Sequence, residues 1–194
     1  MDNKATSWIH AGIKVLGRTG KLELNSVCRE RGKFRPSFYH IYPNFEDSRG
    51  LDRFEDDVLQ HHERVMLAFF GSIRRIYILY DDHHKALQAC VDHMADYLDY
   101  HKCSAQIRKL SETNQKMKTY GDRLYSEYLK VVNEFNKVYK FPEDPLINDH
   151  AIRLMFDAFL TSSNKEEYLK DAIDIVYTSM RLRGVEATPK NTKS

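Results

Sequence analysis

Proline and glycine are scarce in this chain of 194 residues, five and eight respectively, and β-branched runs are short. With so few interruptions, the helical recurrence of apolar residues along almost the whole length makes an all-α fold the expectation. Cysteine is scarcer still. Cys28, Cys90 and Cys103 are odd in number and show no CxxC spacing, which points away from a disulfide framework or a zinc site and towards reduced thiols. No run approaches the roughly 20 apolar residues that a membrane span requires. Met1-Asp2-Asn3-Lys4 does not open an apolar signal segment, so the expected location is cytoplasmic, with no membrane partner. A Gly-rich phosphate loop, a nucleophile elbow and an HExxH motif are missing, so neither an enzyme nor a cofactor is expected. Internal repeats and low-complexity tracts are missing too.

The hydrophobic content of 42% suits a globular protein that buries a core in one or two small domains. The net charge of +2 conceals an asymmetry. Residues 1–49 hold nine Lys or Arg against five Asp or Glu, +4, while the remaining 145 hold 21 against 23, −2. A positive excess in the first quarter suits a phosphate backbone, because basic side chains displace condensed counterions from DNA.

Short helices are expected first. One holds Trp8, Ile9, Ile13, Val15 and Leu16 and stops at Gly17 and Gly20; a second runs near 25–31 and stops at Gly32; a third starts around Pro36 and ends before Pro43. Longer segments follow at about 48–76, 82–101 and 114–139, with a short piece near 104–111 and two final helices over 145–161 and 164–183, about nine in all. Phe141-Pro142-Glu143-Asp144-Pro145 interrupts the pattern, and Asn164 with Glu167 forms a capping box. The expected domains are 1–47, 48–184 and a polar, disordered tail over 185–194.

In a helix-turn-helix, one helix crosses the DNA backbone and the next enters the major groove, with a sharp turn, commonly at Gly, between them. Gly32 stands at such a place. In the segment Lys33-Phe34-Arg35-Pro36-Ser37-Phe38-Tyr39-His40-Ile41-Tyr42, helical spacing puts Phe38 and Tyr42 on an inward face. Arg35, Ser37, Tyr39 and His40 spread over an outward one.

Three stretches, Ile9-His10-Ala11-Gly12-Ile13 with Gly20, Val27-Cys28-Arg29-Glu30-Arg31-Gly32, and Ser37-Phe38-Tyr39-His40-Ile41-Tyr42, together resemble the TetR family of bacterial transcriptional regulators. The likeness covers about a quarter of the chain by motif and the rest by the order and length of helices. It implies a helix-turn-helix head over about Thr6 to Tyr42, followed by an antiparallel helical body that binds a small-molecule effector and dimerises. The implied function is a sequence-specific repressor released from a double-stranded DNA operator by that effector. Tyr39 matches the family tyrosine that meets the DNA backbone. Arg35, Ser37 and His40 match groove-facing positions, with Arg35 the candidate for a guanine through its bidentate fork. Lys33 is assigned to phosphate, and Pro36 opens the recognition helix. Lys33-Phe34 replaces the family's Val-Ser, which removes the customary hydroxyl cap. Asn44-Phe45-Glu46-Asp47-Ser48-Arg49-Gly50-Leu51 is longer than the family's S-K-E-x-L and loses its Lys, for which Arg49 is the candidate substitute.

One small head makes few contacts, and such modules act as dimers spanning half-sites roughly 34 Å apart. The last two expected helices carry the candidate homodimer interface, Ile152, Met155, Phe156 and Phe159 on one and Leu169, Ile173, Val176 and Met180 on the other. Burial of both faces within one subunit is the competing reading, and the resemblance favours the dimer. Tyr97, Tyr100, Tyr120, Tyr125 and Tyr128 are the candidate lining of the effector pocket, since a phenol offers an apolar wall with a polar tip. Aromatics at helical spacing also serve simply as core.

His61-His62, Asp81-Asp82-His83-His84, His93 and His101 invite a metal or acid–base reading. Adjacent histidines on a helix point about 100° apart and do not chelate together, so no metal is expected. Surface or cap positions are expected for them, with Asp81-Asp82 at a helix start, where carboxylates complement the dipole. The competing function is a helical dimeric interaction module that no longer binds a specific operator.

Overall fold

The computed structural model describes residues 3–43 and 49–139, and every regular element among them is an α-helix. In order they are α1 (Asn3–Thr19), α2 (Leu24–Arg31), α3 (Arg35–Tyr39), α4 (Arg49–Leu79), α5 (His83–Ala95), α6 (Leu98–Leu110) and α7 (Gln115–Tyr139). No helix among the described residues is long and apolar enough to cross a membrane. The helices expected over 145–161 and 164–183 lie outside the described residues. So do the tail and the candidate dimer residues Ile152, Met155, Phe156, Phe159, Leu169, Ile173, Val176 and Met180.

Two expected helix limits are corrected. Gly17 does not stop α1, which runs on to Thr19 and ends at Gly20, whose φ of 71° suits a residue without a side chain. Gly17 serves closeness instead: a Cβ placed there would sit 3.0 Å from the Cys103 amide nitrogen and 3.2 Å from Lys102 Cβ, so its small size lets α6 approach. The segment expected as one helix over 82–101 breaks at Asp96 and Tyr97, where the Tyr97 amide donates to the Met94 carbonyl at 2.9 Å. α6 then absorbs the short helix expected near 104–111. No Gly or Pro marks that break. The Tyr97 ring lies against Phe69 and His93, with centroids 5.1 Å away in both cases, so packing holds a turn that local propensity does not favour.

The described residues divide into two compact units, one within 1–67 and 99–124 and the other within 68–98 and 125–139. In the first unit, α1 buries Trp8, Ile9, Ile13, Val15 and Leu16. Phe38 of α3 is fully buried at the centre of an aromatic group: Trp8 meets it edge-on at 5.3 Å, Phe54 edge-on at 5.1 Å, and Tyr42 stacks on it at 5.0 Å. Truncating such a ring typically costs about 3–5 kcal/mol, so these contacts fix α3 against α1 and α4. The Tyr42 hydroxyl donates to Asp57 Oδ2 at 2.9 Å. Gly12 permits a second close approach, since a Cβ there would lie 2.6 Å from Val58 Cγ2 and 2.8 Å from Phe54 Cζ. Just ahead of α7, Asn114 Oδ1 accepts from the Lys116 and Met117 amides at 3.0 and 3.1 Å.

In the second unit, Asp82 caps α5 by accepting from the Lys85 amide at 2.9 Å, in keeping with a helix start at Asp81-Asp82. Buried Tyr77, Val91, Met94, Val131, Val132, Phe135 and Tyr139 contribute to its core. The Tyr139 hydroxyl lies 2.7 Å from the main-chain oxygens of both Tyr77 and Tyr80, serving carbonyls that the end of α4 leaves without a helical partner. Glu134 Oε2 accepts from the Tyr77 hydroxyl and from Arg74 Nε, each at 2.8 Å.

Candidate nucleic-acid interface

The α2–α3 corner is built by one glycine and one buried ring. α2 ends at Gly32 with φ 66° and ψ 34°, a left-handed conformation that costs a glycine little. The chain reverses there because the Gly32 amide donates to the Arg29 carbonyl at 3.1 Å and the Lys33 amide to the Cys28 carbonyl at 3.0 Å, closing the helix end. α3 then starts at Arg35 with Pro36 in its first turn and Phe34 as N-cap. Phe34 makes no side-chain cap bond, in line with the missing hydroxyl.

Anchored by Phe38, this short helix turns Arg35, Pro36, Ser37 and His40 to solvent, with Lys33 and Phe34 exposed just ahead of it. Tyr39 is half-buried, its ring 6.2 Å from Phe38 at an interplanar angle of 77°. Arg35 is held from α2: its Nε donates to Asn25 Oδ1 at 2.9 Å. Asn25 was not among the expected site residues, and a bond to a position ten residues upstream leaves no periodic trace. Arg49 opens α4, and its side chain lies outside the described residues.

Charge is distributed unevenly over the first unit. Lys14 and Arg18 both pair with Glu30, at 3.9 and 3.1 Å, and Lys14 also lies 3.9 Å from Asp99. These residues, with Gly17 and Lys102, line a cleft of about 500 Å³ whose cations are largely compensated. Arg31 Nε is spent on Ser7 Oγ at 2.9 Å. The Lys33 side chain, by contrast, makes no ion pair or hydrogen bond among the described residues. The open positive charge of this stretch therefore includes the α2–α3 corner.

No protein-family model matches this chain, and no curated protein matches it.

The five tyrosines expected around an effector are divided between the units. Tyr100 and Tyr120 belong to the first, Tyr97, Tyr125 and Tyr128 to the second. Within the second unit the rings form a chain, Tyr97 on Phe69, Phe69 on Phe70, Phe70 on Tyr128 and Tyr128 on Tyr125, with centroids 5.1 to 6.3 Å apart. His93 stacks on Phe69 at 5.6 Å, and its buried Nε2 has no hydrogen-bond partner among the described residues.

The histidines required the largest correction. His61 and His62, expected at the surface or at a cap, are buried at 8% and 0% exposure. They diverge around α4, as adjacent helical residues must. His61 Nε2 lies 3.1 Å from His10 Nε2 and 3.3 Å from the Tyr100 hydroxyl, while Arg64 donates to its Nδ1 at 2.7 Å. His62 meets the Tyr120 hydroxyl, the Tyr100 carbonyl and the Ser104 hydroxyl at 2.8, 2.9 and 3.1 Å. Burial, reinforced by the charges of His10 and Arg64, lowers the His61 pKa to about 4. Burial likewise lowers that of His62 to about 4, against the raising effect of its bond to the Tyr100 carbonyl. Among the described residues no three His, Cys, Asp or Glu side chains are placed to hold a metal. The side chains of His83 and His84 lie outside the described residues. Cys28, Cys90 and Cys103 are free, and burial raises each thiol pKa, that of Cys90 to about 12, so none is poised as a thiolate.

Proposed function

We propose that the protein is a sequence-specific DNA-binding transcriptional regulator, a repressor of the kind its first quarter resembles, with α2 and α3 as its helix-turn-helix. The observation that carries this reading is the α2–α3 corner. A five-residue helix is pinned inward by fully buried Phe38, and Lys33, Arg35, Pro36, Ser37 and His40 are left open to solvent. A helix so mounted suits the major groove. Arg35, steadied by Asn25, has its terminal guanidinium nitrogens available for the O6 and N7 acceptors of a guanine. Lys33 and Tyr39 then take phosphates on either side and set the register. Arg49, at the start of α4, is the further phosphate contact in this reading.

The rest of the reading follows from needing two heads. A homodimer pairs them on half-sites, through the faces of residues 152–180. A small-molecule effector releases the operator by binding better to a body whose heads are misplaced, because a ligand shifts an equilibrium only through differential affinity.

Binding to the DNA upstream of the protein's own gene, measured at two salt concentrations, tests it. Affinity falls as salt rises. Arg35→Ala relaxes sequence choice at a cost of about 1–3 kcal/mol on the preferred site, whereas Lys33→Ala weakens all duplexes alike and reduces the salt slope by about one. No salt-dependent binding at all would reject this function in favour of a dimeric interaction module.

A further inference from the structure

We infer that Phe34 is a specificity contact on this surface, its ring meeting the C5-methyl group of a thymine in the major groove. The inference rests on the DNA-binding reading above. Phe34 is the most exposed large apolar side chain among the described residues, at 85%, against 41% for Leu67, the next such residue of the first unit.

Its exposure has a backbone cause. Phe34 lies four residues before Phe38, and in a continuous helix it would share the buried face. As N-cap it is extended instead, with φ −91° and ψ 159°, which takes the ring off the stripe that Phe38 and Tyr42 make. The position favours a side chain whose oxygen can accept from the first helical amides, and a phenyl ring cannot do so. The Phe34 side chain thus neither caps α3 nor packs against the core.

Its neighbours indicate the partner. On one side Lys33 has an uncommitted ammonium group; on the other Arg35 uses Nε for Asn25 and has its terminal nitrogens open among the described residues. An apolar ring between two cations needs a surface that offers anions on both sides of a small apolar group. The floor of the major groove is such a surface: phosphates flank it, every base edge is polar, and the thymine methyl is the apolar exception. The N-terminal end of a recognition helix is also the part that reaches the base edges. The +4 balance of residues 1–49 suits the phosphates on either side of such a groove.

The experiment uses the full chain. Short randomised duplexes are selected for binding, and a retained sequence is remade with individual thymines replaced by uracil, which deletes only the methyl group. At one position the wild type binds the uracil duplex about fourfold more weakly, the worth of one buried methyl. Phe34→Ala binds the thymine duplex more weakly by a similar factor and does not respond to uracil there. Its thermal unfolding matches the wild type, since the ring touches no core. If duplexes are retained and uracil is tolerated everywhere, or if Phe34→Ala responds to it as the wild type does, the methyl contact is wrong and the DNA reading stands. If no duplex is retained, both fall. If Phe34→Ala instead abolishes binding to a protein partner while duplexes are ignored, the surface is a protein interface.

Discussion

Nδ1 of His62 lies 2.8 Å from the hydroxyl of Tyr120, and both side chains are buried. The direction of that bond is fixed from the other side of the ring. Nε2 lies 2.9 Å from the Tyr100 carbonyl, which can only accept, so Nε2 carries the proton and Nδ1 accepts from Tyr120. One neutral imidazole therefore links α4, α6 and α7. His61 obeys the same logic: Arg64 can only donate to its Nδ1, so the proton sits on Nε2, facing His10 and Tyr100.

Tyr120→Phe removes the hydroxyl that Nδ1 accepts from and, among the described residues, leaves a buried acceptor unpaired. The expected loss is about 1–3 kcal/mol of folding stability, seen as a lower urea midpoint at an unchanged slope. A midpoint equal to that of the wild type would mean that water reaches the ring.

Stability should also depend on acid. The folded-state pKa values of His61 and His62 are lowered to about 4, below the value of about 6.5 for an exposed histidine. Between those values the unfolded chain binds more protons. The contribution is therefore complete above about pH 6.5 and is lost as pH falls towards about 4, amounting to roughly 3 kcal/mol for His62 alone. Urea unfolding at about pH 7 and about pH 4.5 measures it. Equal stability at the two would show that the folded rings titrate as they do in the unfolded chain.

Asn25→Ala should act through Arg35. Without its acceptor the guanidinium gains freedom, and discrimination among duplex sequences drops by about 1 kcal/mol while the salt dependence is unchanged, because no phosphate contact is removed. Selection of bound sequences from a random pool, compared with the wild type, reads this directly. A changed salt slope with intact sequence choice would instead make Arg35 a phosphate contact.

The features legible in the sequence share a local cause. The inward placement of Phe38 and Tyr42, the turn at Gly32, the cap at Asp82 and the long α7 stripe each follow from residues within a few positions of one another. What escaped was set at a distance. Gly17 looked like a helix end because a glycine's need for space is invisible until Cys103 is known to lie against it. His61 and His62 looked like surface residues because a histidine is polar, and only Tyr100, Tyr120, Arg64 and His10 make its burial affordable. The break at Asp96 and Tyr97 carries no local signal. At the candidate interface the exposed face of α3 was legible, and the Asn25 tether was not.

The two close approaches along α1 have a mechanical meaning. α4 abuts α1 at Gly12 and α6 abuts it at Gly17, two bearings about 7.5 Å apart along one rod. A rod held at two bearings cannot shift with one of them alone. A slip of α6 past α4 would load α1 at both bearings, and Trp8, edge-on to Phe38 at 5.3 Å, ties α1 to α3. The angle at which α3 carries its exposed side chains would thus depend on packing at Gly12 and Gly17 as well as on its own contacts.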